Sequence, residues 1–598
     1  MTATTATAAP AAPTHAVGLA RLSLDAVAIG FVTGIGAVLF RALIGLIHNL
    51  FFLGQFSFAY DANLFTPAGP WGAWIILAPV IGGMVVTALV NNFAPEARGH
   101  GVPEVMDAIY YKEGVIRPQV AAVKSLASAF SIGSGAAVGR EGPIIQIGAS
   151  LGSTLGQMLR LAPWQRITMV AAGAGAGIAA TFNTPIGGVM FAIELMLPEV
   201  SVRTFLPVAL ATGTATFVGN WLLGPSPAFA MPPVPIGSAH AVSIFALGLY
   251  AILGALTGLA ATGFVRALPA AEDLFDHIKN AYLRHALGMS LVGVLIYALF
   301  HYYGHYYVEG VGYSSIQAVL LGGFSPLYIL PLLFLAKLAA TSLSLGSGAS
   351  GGIFSPSLFM GATFGGAFGL LIQTIHPVAD ANLQDFAIVG MAAMVGGGTG
   401  AAMTAVTMIF EMTRDYSLVM PMIVAVALAI GVRRVLSREN IYTIKLVGRR
   451  HLIPKALHAN MFLVRHANEI MDEDVLVLPA EMPFDALLHQ PEHAGGLKHV
   501  VVTKSDRIEG VLRVNTALHH GLEERFTGVT LGDVAQRDFI IAREDDIGFD
   551  VIERMWQNGG NMAVVVAGKS TPTAGDVRGI ISKEHVADSV ADNLTRYA

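Results

Sequence analysis

The sequence predicts an α-helical polytopic membrane protein with two inverted-topology repeats and broken intramembrane helices, followed by a soluble α/β region. Three observations lead to this fold class. The 598-residue chain is 54% hydrophobic and only 13% charged, whereas a soluble protein carries about 25% charged residues. A glycine-rich segment occurs twice in nearly the same form. The composition changes from apolar to strongly charged after about residue 450.

The apolar part of the chain is predicted to form a transmembrane domain over residues 19–455. Apolar segments recur throughout it, and many are long enough to cross a bilayer or half of one. Examples are residues 24–47, 72–91, 167–195, 241–266 and 385–411. The 67 glycines are typical of closely packed and broken helices in lipid. Residues 1–18 are predicted to be a disordered tail, because they are low in complexity and lack the basic start of a signal peptide.

The repeated glycine-rich segments lie at a constant offset of 213 residues (124 to 337). Residues 124–143 read KSLASAFSIGSGAAVGREGP, and residues 337–356 read KLAATSLSLGSGASGGIFSP. Two matched, glycine-interrupted hydrophobic segments in corresponding halves of a membrane protein indicate a shared binding site near the bilayer midplane. The copies differ at Arg140-Glu141 against Ile353-Phe354, so the chemistry is expected there.

Three short signatures in this region place flexible glycine before proline. They are Gly99-His100-Gly101-Val102-Pro103, Gly139-Arg140-Glu141-Gly142-Pro143 and Gly352-Ile353-Phe354-Ser355-Pro356. Since proline is favoured at the first position of a helix, each signature predicts a loop that leads into a helix N-terminus. Free backbone N–H groups and the positive end of the helix dipole lie there. Three such ends converging in a low-dielectric interior would bind an anion without holding it too tightly to leave.

Other functional classes have little support in the sequence. A cation pathway would more naturally expose carbonyl groups or carboxylates. The net charge of −5 gives no reason to expect a nucleic-acid partner, and the absence of cysteine excludes disulfides and thiolate chemistry. The chain has no P-loop, nucleophile elbow or metal-ligand spacing, so we do not expect an enzyme.

The charge distribution predicts the orientation in the membrane. Arg433, Arg434, Arg449 and Arg450 lie where the apolar region ends. By the positive-inside rule they place the C-terminal region in the cytoplasm, and Arg21 places the N-terminus on the same side. We therefore expect a multi-pass protein of the cell (plasma) membrane with a cytoplasmic C-terminal domain.

The C-terminal region is predicted to contain two copies of one small domain, at residues 456–526 and 527–598. Residues 498–518 read as strand, turn, strand and helix, and residues 562–590 read the same way with a longer turn. A helical stretch precedes each of these two strand–turn–strand–helix patterns.

These motifs are similar to those of the CLC family of chloride channels and chloride/proton exchangers, over residues 20–450. The C-terminal region resembles the tandem CBS-domain pair that many members carry. The resemblance implies a homodimer in a lipid bilayer with one pore per subunit, which carries chloride and other monovalent anions. It also implies anion-binding roles for nine residues, namely Gly99, His100, Gly101, Arg140, Gly142, Ile353, Phe354, Ser355 and Tyr442.

Glu141 matches the gating glutamate of this family, whose carboxylate occupies an anion site and leaves it when protonated. A carboxylate at a helix N-terminus competes with an anion for the same N–H donors, and the alternative role is a simple helix cap. The resemblance assigns the backbone amides of Ile353 and Phe354, and the hydroxyl of Tyr442, to the central anion. Taken alone, Tyr442 would more often be an interfacial anchor. Arg140 is expected to position its loop and shape the outer entrance.

His100 stands where most chloride-selective members have serine, so the preference of chloride over nitrate stays open. A neutral imidazole donates a hydrogen bond to an anion, and a protonated one adds a charge near pH 6.5. In the alternative arrangement the side chain points away and leaves only backbone N–H groups. Pro143 and its surroundings disfavour the fluoride-exporting branch of the family.

Leu195 stands where exchangers of this family carry a second acidic residue that relays protons. Leucine cannot accept a proton, and the neighbouring Glu194 is turned by about 100° along a helix. Glu194 and His100 are candidate relays, although Glu194 and its repeat counterpart Glu411 could equally be structural hydrogen-bonding groups. Leu195 favours a channel-like or weakly proton-coupled anion pathway gated by Glu141. The alternative is a chloride/proton exchanger.

Nucleotide binding by the CBS-like region depends on two positions of the family pattern. In the family pattern an Asp after the last strand holds a ribose. The pattern has Ser or Thr at one position and this Asp three residues later. The first copy has Arg513 and Thr516 at these two positions, and the second has Ser582 and His585. Thr516 and Ser582 remain as candidate contacts to an adenine nucleotide, and the alternative is a dimerising module that tunes the gate. A magnesium channel with a CBS tail is a remote alternative, because it needs several acidic pore residues.

Overall fold

The computed structural model describes residues 15–230, 243–324, 328–375, 382–451, 453, 465–488, 499–513, 528–568, 572–584 and 586. The chain divides into two compact units, Met1–Ile453 and Pro454–Ala598. Of the predicted tail at residues 1–18, only the last four residues lie within the described part. Helix α1 begins directly after it, at Leu19.

The first unit consists of helices. In chain order they are α1 Leu19–His48, α2 Leu77–Phe93, α3 Val102–Tyr111, α4 Gln119–Gly133, α5 Glu141–Met158, α6 Pro163–Phe182, α7 Pro185–Phe191, α8 Val202–Leu223, α9 Ile244–Asp276, α10 Ala281–Tyr303, α11 Tyr313–Leu320, α12 Ile329–Ser347, α13 Phe354–Ile375, α14 Leu383–Thr399, α15 Ala402–Thr413, α16 Val419–Leu436 and α17 Thr443–Gly448. Within the described residues, eight helical segments are long and apolar enough to cross a membrane. This agrees with the predicted polytopic membrane domain.

The order of helices occurs twice, with α1–α8 matched by α9–α16. Long helices open each half, and a short helix stands at the same place in each, α3 in the first half and α11 in the second. The starts of α5 and α13 are 213 residues apart, as in the sequence repeat (141 to 354). The starts of α7 and α15 are 217 residues apart (185 to 402).

Two predicted apolar segments each form a broken helix instead of one continuous span. Residues 167–195 divide between α6 and α7, and residues 385–411 divide between α14 and α15. Asn183 ends α6 in the left-handed conformation with φ of 59°, and Pro185 then opens α7. Gly400 ends α14 with φ of 79°. A left-handed residue ends a helix, and proline restarts one because it needs no N–H there.

The prolines of the three signatures lie inside the first helical turn and do not mark the helix starts. Helix α3 begins at Val102, α5 at Glu141 and α13 at Phe354, one or two residues before Pro103, Pro143 and Pro356. The first four N–H groups of a helix have no acceptor within it, so proline fits throughout that turn. The earlier start brings Glu141 itself into the first turn of α5.

The second unit contains two three-stranded sheets with the same topology. Its elements are α18 Ala467–Ile470, β1 Val475–Pro479, α19 Phe484–Leu488, β2 His499–Lys504, β3 Arg507–Arg513, α20 Leu531–Val534, β4 Phe539–Arg543, α21 Gly548–Gln557, β5 Met562–Val566 and β6 Val577–Ser582. In each sheet the first strand pairs parallel with the second, which pairs antiparallel with the third. The predicted strand–turn–strand pairs are β2–β3 and β5–β6, while β1 and β4 were not predicted.

The two sheets share one apolar core, in which Val501 and Val511 of the first sheet meet Val564 and Ile580 of the second. Ser582, a candidate nucleotide contact, is buried as the last residue of β6. The other candidate, Thr516, lies outside the described residues.

Candidate anion site

Backbone hydrogen bonds join the three glycine signatures at one place. Gly139 N–H donates to the Gly352 carbonyl oxygen at 2.7 Å, and Gly352 N–H donates back to Gly139 at 2.6 Å. Gly99 N–H donates to the Ala349 oxygen at 3.2 Å, and Gly351 N–H donates to the Gly99 oxygen at 3.3 Å. The loops that precede α3, α5 and α13 therefore meet, as the sequence pattern predicts.

Two positions at this meeting point require glycine, one for lack of space and the other for its backbone conformation. A Cβ atom on Gly142 would lie 2.2 Å from the His100 carbonyl oxygen, well inside van der Waals contact. Gly101 has φ of 83°, a backbone conformation that other L-residues rarely adopt. Glycine is therefore required here so that the backbone amides can approach one another.

Two buried lysines hold the loops of the two halves in matching ways. Lys124 Nζ donates to the Gly99 carbonyl oxygen at 2.7 Å, and Lys337 Nζ donates to the Gly310 oxygen at 2.8 Å. The second loop, whose Gly310 and Gly312 have φ of 49° and 76°, was not among the three predicted signatures. This loop is a fourth glycine-containing helix start, with the same Gly-x-Gly spacing as residues 99–101, and it leads into α11.

The Glu141 carboxylate is buried among donors from two other helices. Ser355 N–H donates to Oε2 at 3.2 Å, and Ser355 Oγ donates to Oε1 at 2.5 Å. The hydroxyl of Tyr313, the first residue of α11, also donates to Oε1. Glu141 is 1% exposed. Its carboxylate thus takes the place at the N-terminus of α13 that suits an anion.

Tyr313 is the site residue that sequence reasoning missed. Its ring packs edge-on against Phe229, with 5.3 Å between centroids, and the Arg140 guanidinium carbon lies 5.0 Å from its centroid. The hydroxyl of Tyr313 also lies 3.1 Å from Ser355 Oγ. The signal that could have found it is the repeat, because a shift of 211 residues aligns residues 99–102 with residues 310–313.

His100 and Tyr442 lie together inside the site region. Their ring centroids are 5.9 Å apart, and both side chains are buried. His100 Nδ1 is buried and has no hydrogen-bond partner among the described residues. The backbone N–H groups of Ile353 and Phe354 belong to the loop and first turn that open α13, where no acceptor exists within the helix.

Glu194 and Glu411 cap each other's helices. Glu194 Oε2 accepts hydrogen bonds from Thr404 N–H at 2.7 Å and Thr404 Oγ1 at 2.6 Å, at the start of α15. Glu411, near the end of α15, accepts from the N–H groups of Ile186 at 3.1 Å and Gly187 at 2.7 Å, at the start of α7. This reciprocity requires α7 and α15 to run antiparallel, as inverted repeats demand.

The candidate relay Glu194 therefore has its carboxylate engaged at a helix terminus, and Leu195 beside it is buried. The described contacts favour the structural role for the Glu194–Glu411 pair, one of the two roles that the sequence left open. Among the candidate site residues, hydrogen bonds join Glu141 to Ser355 and to Tyr313, and Arg140 lies against the Tyr313 ring.

In this helical membrane unit, helix N-termini from both halves surround a buried carboxylate. This arrangement defines a class of ion-transport protein. Residues 82–434 match the family model described as voltage gated chloride channel. This match spans more than half of the chain, and the protein belongs to this family, the CLC family of anion transporters.

Several named proteins are similar to this chain. The H(+)/Cl(-) exchange transporter ClcA of Vibrio cholerae is 35% identical over 362 residues, which cover 59% of this chain and 75% of the relative. ClcA of Salmonella agona is 32% identical over 411 residues, covering 68% and 84% of the two chains. The crystal structure of a slow cyanobacterial Cl−/H+ antiporter has a TM-score of 0.63 at 25% identity, covering 72% of this chain and 98% of that one.

A eukaryotic CLC transporter shares the fold over a longer stretch. Its structure matches 95% of this chain and 98% of its own, with a TM-score of 0.59 at 20% sequence identity. This likeness concerns the fold alone.

Proposed function

We propose that this protein exchanges chloride for protons across a membrane, through a site that the Glu141 carboxylate closes. The observation that carries the proposal is the position of that carboxylate, which accepts hydrogen bonds from Ser355 and Tyr313 at the starts of α13 and α11. A carboxylate and a chloride ion present similar charge to such donors, so only one of them can occupy the site at a time.

The same group can couple the two ions. When it is ionised, the Glu141 carboxylate receives charge-assisted hydrogen bonds, which are about twice as strong as neutral ones. Protonation removes the charge and weakens its hold on the site. The carboxyl group then leaves, and an anion takes the donors of α13. We assign the backbone of Ile353 and Phe354 and the side chains of His100 and Tyr442 to the next anion position along the pathway.

The exchanger alternative is better supported than the channel-like interpretation that Leu195 suggested. The two ClcA relatives are named H(+)/Cl(-) exchange transporters, and the cyanobacterial structure is titled as an antiporter. Since leucine cannot carry a proton, we propose that protons reach Glu141 without a side-chain relay at position 195. These relatives lend no support to the remote magnesium-channel alternative.

The direct test is the reversal potential of the purified protein in liposomes under opposed chloride and pH gradients. For an exchanger, we expect the reversal potential to depart from the chloride Nernst potential and to shift with the proton gradient. A reversal potential that follows chloride and ignores pH would restore the channel-like interpretation. The absence of anion flux would remove both.

Replacing Glu194 by alanine should lower stability and leave proton coupling intact. The substitution removes the acceptor for the N–H groups at the start of α15, and loss of such a cap costs about 0.5–2 kcal/mol. The measurement is the midpoint of thermal inactivation in detergent, together with the proton-to-chloride ratio in liposomes. Glu194→Gln retains one acceptor oxygen and should lie between wild type and alanine. Loss of coupling at an unchanged midpoint would instead make Glu194 a proton relay.

We further propose that the second unit is a tandem CBS pair in the cytoplasm that dimerises and tunes the gate of a homodimer. The repeated topology of β1–β3 and β4–β6 supports this. The fold likeness to the eukaryotic CLC transporter covers 95% of this chain and therefore includes residues of this unit. In the same proposal the protein is a transporter of the plasma membrane and not an enzyme. Ser582 and Thr516 are its candidate contacts to an adenine nucleotide.

A further inference from the structure

A cavity of about 270 Å³ lies on one side of the gate, in the membrane unit. Its lining includes Arg41, Asp61, Asn183 and the two gate neighbours Arg140 and Tyr313. Tyr313 lines this cavity and also donates to the Glu141 carboxylate. The cavity therefore adjoins the gate and has room for an ion next to Tyr313.

Two arginines from separate elements converge on this cavity. Arg140 belongs to the loop before α5 and Arg41 to α1, and both also line a smaller adjoining cavity. Both side chains carry a positive charge and line the same two cavities. Within the part of the chain that the structure describes, neither arginine forms a salt bridge within 4 Å. Asp61, which also lines the larger cavity, supplies one negative charge against the two positive charges.

Arg140 has little access to water. Its side chain is 9% exposed, and its Nε is buried without an acceptor among the described residues. A buried donor of this kind is normally satisfied by a partner, a water molecule or an ion. Like charges held together in a low-dielectric cleft raise the local concentration of the opposite ion. Together, the buried donor and the two positive charges favour an anion as the missing partner.

We propose that Arg41 and Arg140 form a capture site for a small inorganic anion, chloride in the first place, at the entrance to the gate. The inference rests on the proposed function, because the captured ion is the one that displaces the Glu141 carboxylate. Guanidinium groups supply full charges here, whereas the gate itself offers neutral amide and hydroxyl donors. The capture site therefore sets how readily chloride reaches the gate and leaves the gating step unchanged.

Three charge variants test this site in the full-length protein. Arg41→Gln removes one capturing charge, and Asp61→Asn removes the opposing one while it keeps the Oδ1 acceptor for Asn63 N–H. Arg21→Gln is the matched control, because Arg21 lies about 30 Å from Arg41 along the same helix. The measurement is the initial rate of chloride flux into liposomes against chloride concentration, at low and constant ionic strength.

We expect Arg41→Gln to raise the apparent KM for chloride about threefold to tenfold and Asp61→Asn to lower it, with an unchanged maximal rate. High salt should shrink both shifts by screening. Arg21→Gln should match wild type. The proposal is overturned if Arg41→Gln and Asp61→Asn keep the wild-type KM, or if Arg21→Gln shifts the KM as much as Arg41→Gln. If Arg41→Gln does not fold, the direction of the Asp61→Asn shift decides alone.

Calorimetric titration of the detergent-solubilised protein with chloride separates this inference from the proposed function. Wild type and Arg21→Gln should bind chloride with the same affinity. Arg41→Gln should show no such binding, or should bind chloride at least about threefold more weakly. Equal binding in all three proteins would overturn the capture site, even where transport is observed. If wild type carries no chloride in liposomes, the proposed function fails, and the titration still decides whether the arginines bind the anion.

Discussion

Replacing Glu141 by alanine is expected to abolish proton movement while chloride flux persists. The carboxylate is the group that competes with the anion for the donors at Ser355 and Tyr313, and it is also the group that takes up the proton. Alanine preserves the start of α5 because it has the highest helix propensity. The site then stays open to anions at every pH. Simultaneous recording of chloride and pH in liposomes should show proton flux at the level of protein-free vesicles.

Glu411→Ala is the matched control for that variant. Its carboxylate also accepts hydrogen bonds from backbone N–H groups at a helix start, Ile186 and Gly187, but it has no described contact with the gate. It should lower thermal stability and retain coupled transport. Proton flux that survives in Glu141→Ala would show that another group carries the proton. Loss of both fluxes in a folded Glu141→Ala protein would contradict the role of the carboxylate as a removable plug.

Replacing Tyr313 by phenylalanine should loosen the gate. The change removes one hydrogen bond to the ionised Glu141 carboxylate, and bonds to charged groups contribute about 1.5–3 kcal/mol. The aromatic ring keeps its packing against Phe229 and its contact with Arg140. Because one hydrogen bond to the carboxylate is lost, chloride displaces the carboxylate more easily. We expect chloride flux at neutral pH to rise about tenfold or more, since 1.4 kcal/mol is a factor of ten, and fewer protons to move per chloride.

Tyr250→Phe provides the control for Tyr313→Phe. Tyr250 is also fully buried, but it lies on α9, where its ring packs against Phe386 at 4.9 Å between centroids. It should transport chloride and protons at the wild-type ratio. The proposed role of the Tyr313 hydroxyl in holding the Glu141 carboxylate is wrong if Tyr313→Phe keeps both the wild-type chloride rate and the wild-type proton-to-chloride ratio while its thermal midpoint equals that of Tyr250→Phe.

Local and periodic signals in the sequence were enough to predict the architecture. Long apolar segments predict membrane helices because lipid tolerates few charges. The structure has long apolar helices of this kind. The glycine signatures at residues 99–103, 139–143 and 352–356 predicted three helix starts that meet, and backbone hydrogen bonds join them. The helix breaks near Asn183 and Gly400 were not predicted, although Pro185 and Gly400 are local signals for such breaks.

By itself, therefore, the sequence determined the membrane class, the repeat and the glycine loops, and it singled out Glu141 as a candidate. Only the tertiary structure decided which side chains surround that carboxylate. Tyr313 and Ser355 lie 172 and 214 residues from Glu141 along the chain. The tertiary structure also paired Glu194 and Glu411 as helix caps and brought Arg41 to Arg140. The physical reason is that periodicity and glycine act locally, whereas such contacts depend on how separate helices pack against one another.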